Sequence, residues 1–286
     1  ICLILFGFGL PFLNQPAHWD ETAYIDGVRT IFSVGGFPFV EFWSYKPPLH
    51  FELGALSWLV MGIGRWQLRV LSTLELAALA TVMMWLVQSV FIYLSRSIKL
   101  SIDQRVFSWL LVGALLTNPV VVGQAWLYQP ELLLVLLWLS AAYLYITRKF
   151  GWYWVMASLL VLTKESGVIY LAAIIGHALV AGIVCRDSLL LMGKRILFVA
   201  SPLVWFFVWM IGNKLVLSWW LWPHNLEFFS TTKPYAAPLA LKLQALFIEA
   251  NQWLLTALAG VSSWLILRRV ASQESQRLQS VISFVG

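Results

Sequence analysis

Apolar runs close to the length of a membrane span recur along these 286 residues, and the loops between them are short and basic. A helix needs roughly 20 apolar residues to cross the hydrocarbon. The spacing predicts spans near 1–13, 70–94, 106–122, 131–147, 152–163 (short), 167–185, 196–217 and 249–267. Composition agrees: 60% of residues are hydrophobic, 15% aromatic and 11% charged, with a mean hydropathy of +0.81. These values point to an all-helical, multi-pass membrane bundle rather than a soluble domain. The chain opens at Ile1 inside an apolar run and stops at Gly286 as another run begins, so it is expected to be a fragment cut at both ends.

The stretch 48–64 is the ambiguous one, because as a helix it reaches only about 24–26 Å against a core of roughly 30 Å. The loop charges decide its placement. If it stays outside, the loops carrying Arg96, Lys99 and Arg105, then Arg148 and Lys149, then Arg186, Lys194 and Arg195, then Arg268 and Arg269 share one side. That is the arrangement expected of cytoplasmic loops. The net charge of +6 therefore reads as a topology signal, with no basic stripe or stacking platform for nucleic acid. Cys2 and Cys185 fit no framework of bridges or metal ligands. Short loops and external loops without glycosylation sequons fit a bacterial plasma membrane.

This topology leaves two extracytoplasmic loops, about 14–69 and 218–248. In the first, Trp19, Ile25, Val28, Ile31 and Phe32 recur at near-helical spacing and Gly35-Gly36 ends the pattern, which predicts an amphipathic helix lying on the membrane. In the second, Trp219, Trp220, Trp222, Phe228 and Phe229 form an aromatic belt.

The first loop also concentrates charge: Asp20-Glu21-x-x-Tyr24, then Tyr45-Lys46-Pro47-Pro48-Leu49-His50. Paired acids followed by a lysine and two prolines make sense where a charged group is handled at the lipid surface. Each also has a plainer reading. Asp20 is a favourable helix N-cap, and Lys46 a snorkelling anchor, although Pro47 holds Lys46 extended and Pro48 suits the first turn of the next helix. Arg65 and Arg69, four apart, share a helix face. Glu131 opens a span, where an acid complements the helix dipole. Lys164 and Glu165 read most simply as a neighbouring charge pair, His224 as an interfacial histidine, and Glu75 as an intramembrane acid packed against a polar neighbour. There is no HExxH, Cys-x-x-Cys or convincing Asp-x-Asp, and no essential divalent metal is expected.

In order along the chain, Asp20-Glu21-x-x-Tyr24, Gly35-Gly36, Lys46-Pro47-Pro48-Leu49, Arg69-x-x-Ser72-x-Leu74, Glu131, the Thr163-Lys164-Glu165 segment and His224 ahead of Phe228-Phe229 resemble the GT-C superfamily of membrane glycosyltransferases. The likeness is to the protein O-mannosyltransferases and the lipid A aminoarabinose transferases. It implies a GT-C-like catalytic module over 1–286 that moves a sugar from a polyprenyl-phosphate carrier to an acceptor on the outer face, with inversion. It further implies Asp20 as the base, with Glu21 and Glu131 as further acids of the catalytic site. Lys46, Arg69 and His224 would bind the carrier phosphate, and Tyr24, Tyr45 and Lys164 would lie near the site. The chain departs from the aminoarabinose transferases where a glutamate directly precedes the lysine, since Tyr45 stands there and the nearest acid is Glu41. The rival readings are a polyprenyl-lipid-handling transporter and a non-catalytic membrane scaffold.

Overall fold

The computed structural model describes residues 13, 15–17, 19–35, 46–95, 104–184 and 188–218. All regular structure among them is helical. The chain divides into two compact units, Ile1–Trp222 and Pro223–Gly286. The second unit, with His224 and the expected span 249–267, lies outside the described residues, as does Tyr45.

The amphipathic stretch of the first loop forms α1 (Trp19–Gly35), and after the proline pair comes α2 (Leu49–Met61). The apolar stripe of α1 does not face lipid, as the sequence led us to expect. Ile25, Val28 and Ile31 are buried against Phe51, Ala55 and Trp58 of α2 and against Leu68 and Tyr128. Each such side chain contributes roughly 1.5–3 kcal/mol relative to exposure to water, and a protein face satisfies the stripe as well as a bilayer does. Two glycines let the helices approach. A methyl group on Gly54 would lie 2.6 Å from Val28 Cγ2 and collide with the Tyr128 hydroxyl, and one on Gly27 would lie 2.6 Å from Phe51 Cδ1. Gly62, at φ +89°, turns the chain out of α2, and Trp58 Nε1 donates to Gly64 O at 2.8 Å across that corner.

The chain then enters α3 (Arg65–Ser95), whose Arg65–Ser89 portion is long and apolar enough to cross a membrane. Two expected spans are broken. The 106–122 run forms α4 (Gln104–Leu116) and a short α5 (Pro119–Ala125), because Pro119 has no N–H to continue the ladder. The 196–217 run is split at Ser201-Pro202 into α9 (Leu189–Ala200) and α10 (Leu203–Leu217), bent by 50°, a pair that reaches spanning length only when taken together. Between them lie α6 (Pro130–Ile146), α7 (Phe150–Val161) and α8 (Gly167–Val184), close to the expected bounds.

Leu133, Leu137 and Ala141 of α6, Tyr153, Ala157 and Leu160 of α7, and Leu171 and Ile174 of α8 make one core, closed by Val199 of α9. The Tyr153 hydroxyl donates to Val199 O at 2.7 Å, pinning α7 to α9. A second core joins α3 to α5 and α6 through Leu76, Leu79, Ala125 and Leu132.

Candidate functional site

Glu21 and Arg69 form a fully buried ion pair. Arg69 Nε donates to Glu21 Oε1 at 2.8 Å and Nη2 to Oε2 at 2.6 Å, with Arg69 1% and Glu21 0% exposed. The guanidinium also donates to the carbonyls of Leu13, Gln15 and Pro16 at 3.0–3.3 Å, and Glu21 Oε1 accepts from Tyr128 N at 3.0 Å. A buried pair is tolerated when its remaining donors and acceptors are satisfied in this way. Arg65, one turn earlier on the same face, donates to Gln15 O at 3.3 Å, as its spacing from Arg69 suggested. Thus the segment before α1, α1 itself, the start of α3 and the turn before α6 are held by one arginine.

Beside this clamp the Lys-Pro-Pro corner presents Lys46. Its Nζ donates to Tyr24 Oη at 3.0 Å and lies 4.4 Å from the centre of that ring. Tyr24 meets His50 edge-on, with centroids 5.5 Å apart, and His50 stacks on Tyr128 at 4.1 Å. The Tyr128 hydroxyl in turn donates to His50 O. His50 is 1% exposed, and neither ring nitrogen has a hydrogen-bond partner among the described residues. Burial first, then the charges of Lys46 and Lys164, push its pKa from 6.5 down to about 3, so the ring is neutral at physiological pH. Burial, then the Glu75 carboxylate, hold the Tyr128 phenol well above its usual 10.0, so it remains a donor.

The third corner follows α7. Lys164 forms an ion pair with Glu131 at the start of α6, both side chains partly exposed. The simpler reading of Lys164 with Glu165 is therefore corrected: the partner is 33 positions away. Because α6 begins where α7 has just ended, the two helices run antiparallel. Their Arg148-Lys149 turn sits at the other end, about 25 Å off along a 17-residue helix. Leu49 N donates to Leu162 O at 2.9 Å, so the first free amide of α2 meets the carbonyl that caps α7. This bond ties the lysine of one corner to the lysine of the other across His50. A cavity of about 840 Å³ lined by Trp85, Tyr143, Lys149 and Trp152 opens at the opposite end and involves none of the expected residues.

No known protein family, curated protein or solved structure matches this chain.

Of the expected site residues, Tyr24 meets His50 and binds Lys46, while Glu131 pairs with Lys164 at the corner tied to α2 by the Leu49–Leu162 bond. Arg69 does not join them as a phosphate ligand, because its donors are occupied by Glu21 and three carbonyls behind the protein surface. Glu21, expected among the catalytic acids, is fully buried and paired with Arg69. Asp20 lies one residue into α1, inside the first turn; its side chain, like those of Tyr45 and His224, lies outside the described residues. Glu75 is buried, and neither of its carboxylate oxygens has a hydrogen-bond partner among the described residues. His50 and Tyr128 were missed as site residues. The signal available for His50 was a polar ring directly after the Lys-Pro-Pro motif, in the first turn of a largely apolar helix that also carries Glu52.

Proposed function

We propose that this chain is a membrane-embedded, GT-C-like glycosyltransferase that moves a sugar from a polyprenyl-phosphate carrier to an acceptor at the extracytoplasmic face, with inversion at the anomeric carbon. The observation that carries this reading is that two lysine corners far apart in sequence, those of Lys46 and Lys164, are joined beside the buried His50 by the Leu49–Leu162 bond.

The chemistry needs little else. A phosphate-linked sugar already has a good leaving group, so the protein has to supply a base for the acceptor and positive charge for the phosphate. Asp20 takes the proton as the acceptor oxygen bonds to the anomeric carbon. The carbon–oxygen bond to the phosphate breaks with its electron pair, and a diester bearing one negative charge becomes a monoester bearing up to two. A second lysine answers that added charge, which one ammonium would leave half-balanced. Glu131, partly exposed, holds Lys164 until the phosphate competes for it.

A multi-pass bacterial plasma-membrane location is part of the same proposal. Support comes from the apolar surface of helices shorter than a full span: Leu110 is 65% exposed, Ile169 73%, Leu197 72% and Leu215 79%, a pattern costly in water. The Arg148-Lys149 turn at the far end of α6 and α7 fits the cytoplasmic side.

The test is transfer in membrane vesicles carrying the full-length protein, with a panel of radiolabelled polyprenyl-phosphate sugars, comparing wild type with Asp20→Asn. Label transfer that disappears in the variant while carrier binding persists is the expected result. Carrier binding without turnover by either protein would favour a lipid-handling role instead.

A further inference from the structure

At the α2 entrance, His50 makes no hydrogen bond through its ring to any of the described residues. His50 is buried, stacked on Tyr128 and met edge-on by Tyr24, and its ring donor and ring acceptor both lack partners among the described residues. An unmade hydrogen bond in the interior is costly, and native proteins keep such groups where something else uses them.

We propose that His50 is a third ligand of the carrier phosphate, its neutral imidazole donating one N–H to a phosphate oxygen drawn in by Lys46 and Lys164. This deepens the glycosyltransferase reading and rests on it. The geometry is suited to the task. His50 directly follows the amide that bonds Leu162 O, and Lys164 lies two residues beyond that carbonyl, so the ring is held in the backbone interval between the two lysines, with both nitrogens lacking hydrogen-bond partners among the described residues. A ring this deeply placed meets a ligand only when a neighbour moves. Of the groups around it, the two lysines have the longest and most adaptable side chains, and they are the ones an anion would pull away from Tyr24 and Glu131. A neutral donor here is an advantage over a third cation. It adds a directed bond for the phosphate without adding repulsion between Lys46 and Lys164 in the empty site, and the low basicity of the buried ring keeps it in that form.

The full-length protein in nanodiscs would be titrated with polyprenyl phosphate, inorganic phosphate and an anionic phospholipid, for wild type, His50→Gln and His50→Phe. Wild type is expected to bind polyprenyl phosphate. His50→Phe, which keeps the stacked ring without a donor, should bind about tenfold more weakly, as for loss of one hydrogen bond to a charged group. His50→Gln, which restores an N–H, should recover most of the loss. Inorganic phosphate should show the same order at lower affinity, and the phospholipid no dependence on residue 50. Equal affinity of His50→Phe and wild type overturns the proposal and leaves the glycosyltransferase reading standing, as does equal loss in both variants, which would make the ring a packing element. Failure of wild type to bind polyprenyl phosphate overturns both. A measurement free of variant folding is the ¹⁵N spectrum of histidine-labelled wild type: a His50 ring resonance unmoved by saturating carrier also overturns the proposal.

Discussion

Arg69 grips Glu21 through two parallel hydrogen bonds from 48 positions away, and both side chains are sealed from solvent. The pair sits at the junction of α1, α3 and the turn before α6, so its loss should loosen all three. Removing one partner leaves the other charged and buried, which costs roughly 3–5 kcal/mol. Arg69→Met and Glu21→Gln should each lower the unfolding temperature in detergent markedly, and the double variant should be less unstable than Arg69→Met alone. A double variant as unstable as the sum of the two would show that the residues act independently.

The Lys164–Glu131 pair should behave differently. With both groups partly exposed, it contributes under about 1 kcal/mol to stability. Glu131→Gln and Lys164→Met should therefore melt close to wild type, while Lys164→Met binds polyprenyl phosphate more weakly. A large drop in melting temperature with unchanged binding would assign the pair to structure instead.

Gly54 is where α2 passes Val28 and Tyr128 most closely. Gly54→Ala should cost about 1–3 kcal/mol by overpacking. Adding Tyr128→Phe removes the atom that the new methyl group strikes, and part of the loss should return in a thermal melt. No recovery in the double variant would place the strain at Val28.

His50 makes a prediction about acid. It is faced by Tyr24 from α1, Lys46 from the preceding corner, Phe51 on its own helix, Tyr128 from the turn before α6 and Lys164 from beyond α7. Its pKa falls from 6.5 to about 3 on folding, so between those values the unfolded chain binds a proton that the folded chain refuses. Stability then rises with pH across this window and is complete above about 6.5. At pH 5 the deficit from this group is on the order of 2 kcal/mol. His50→Phe should flatten the stability profile between pH 7 and pH 5; an unchanged slope would assign the acid sensitivity to the carboxylates.

The helices were legible in the sequence because apolar runs dominate it, and α1, α6, α7 and α8 fall close to their expected bounds. The breaks at Pro119 and at Ser201-Pro202 were visible as prolines but were overruled by hydropathy, which counts side chains and ignores a missing amide. Site residues were harder to sort. A charge in a loop looks the same in sequence whether it faces a ligand or a buried partner, so Lys46 and Arg69 seemed equivalent. Only the distant Glu21 and three main-chain carbonyls distinguish them. Lys164 had an acid next door at Glu165, and the fold gave it one from another helix.

The bridge from Leu49 to Leu162 runs from main chain to main chain, so its donor and acceptor are specified by no particular side chain. Almost any residue at position 49 or 162 would keep it. Proline at 49 would delete the donor, and since proline is welcome at the start of a helix it would do so without unwinding α2. The interval between the two lysine corners is thus shielded from most mutational drift, leaving the ammonium groups free to be tuned to a different anion while the frame that spaces them stays as it is.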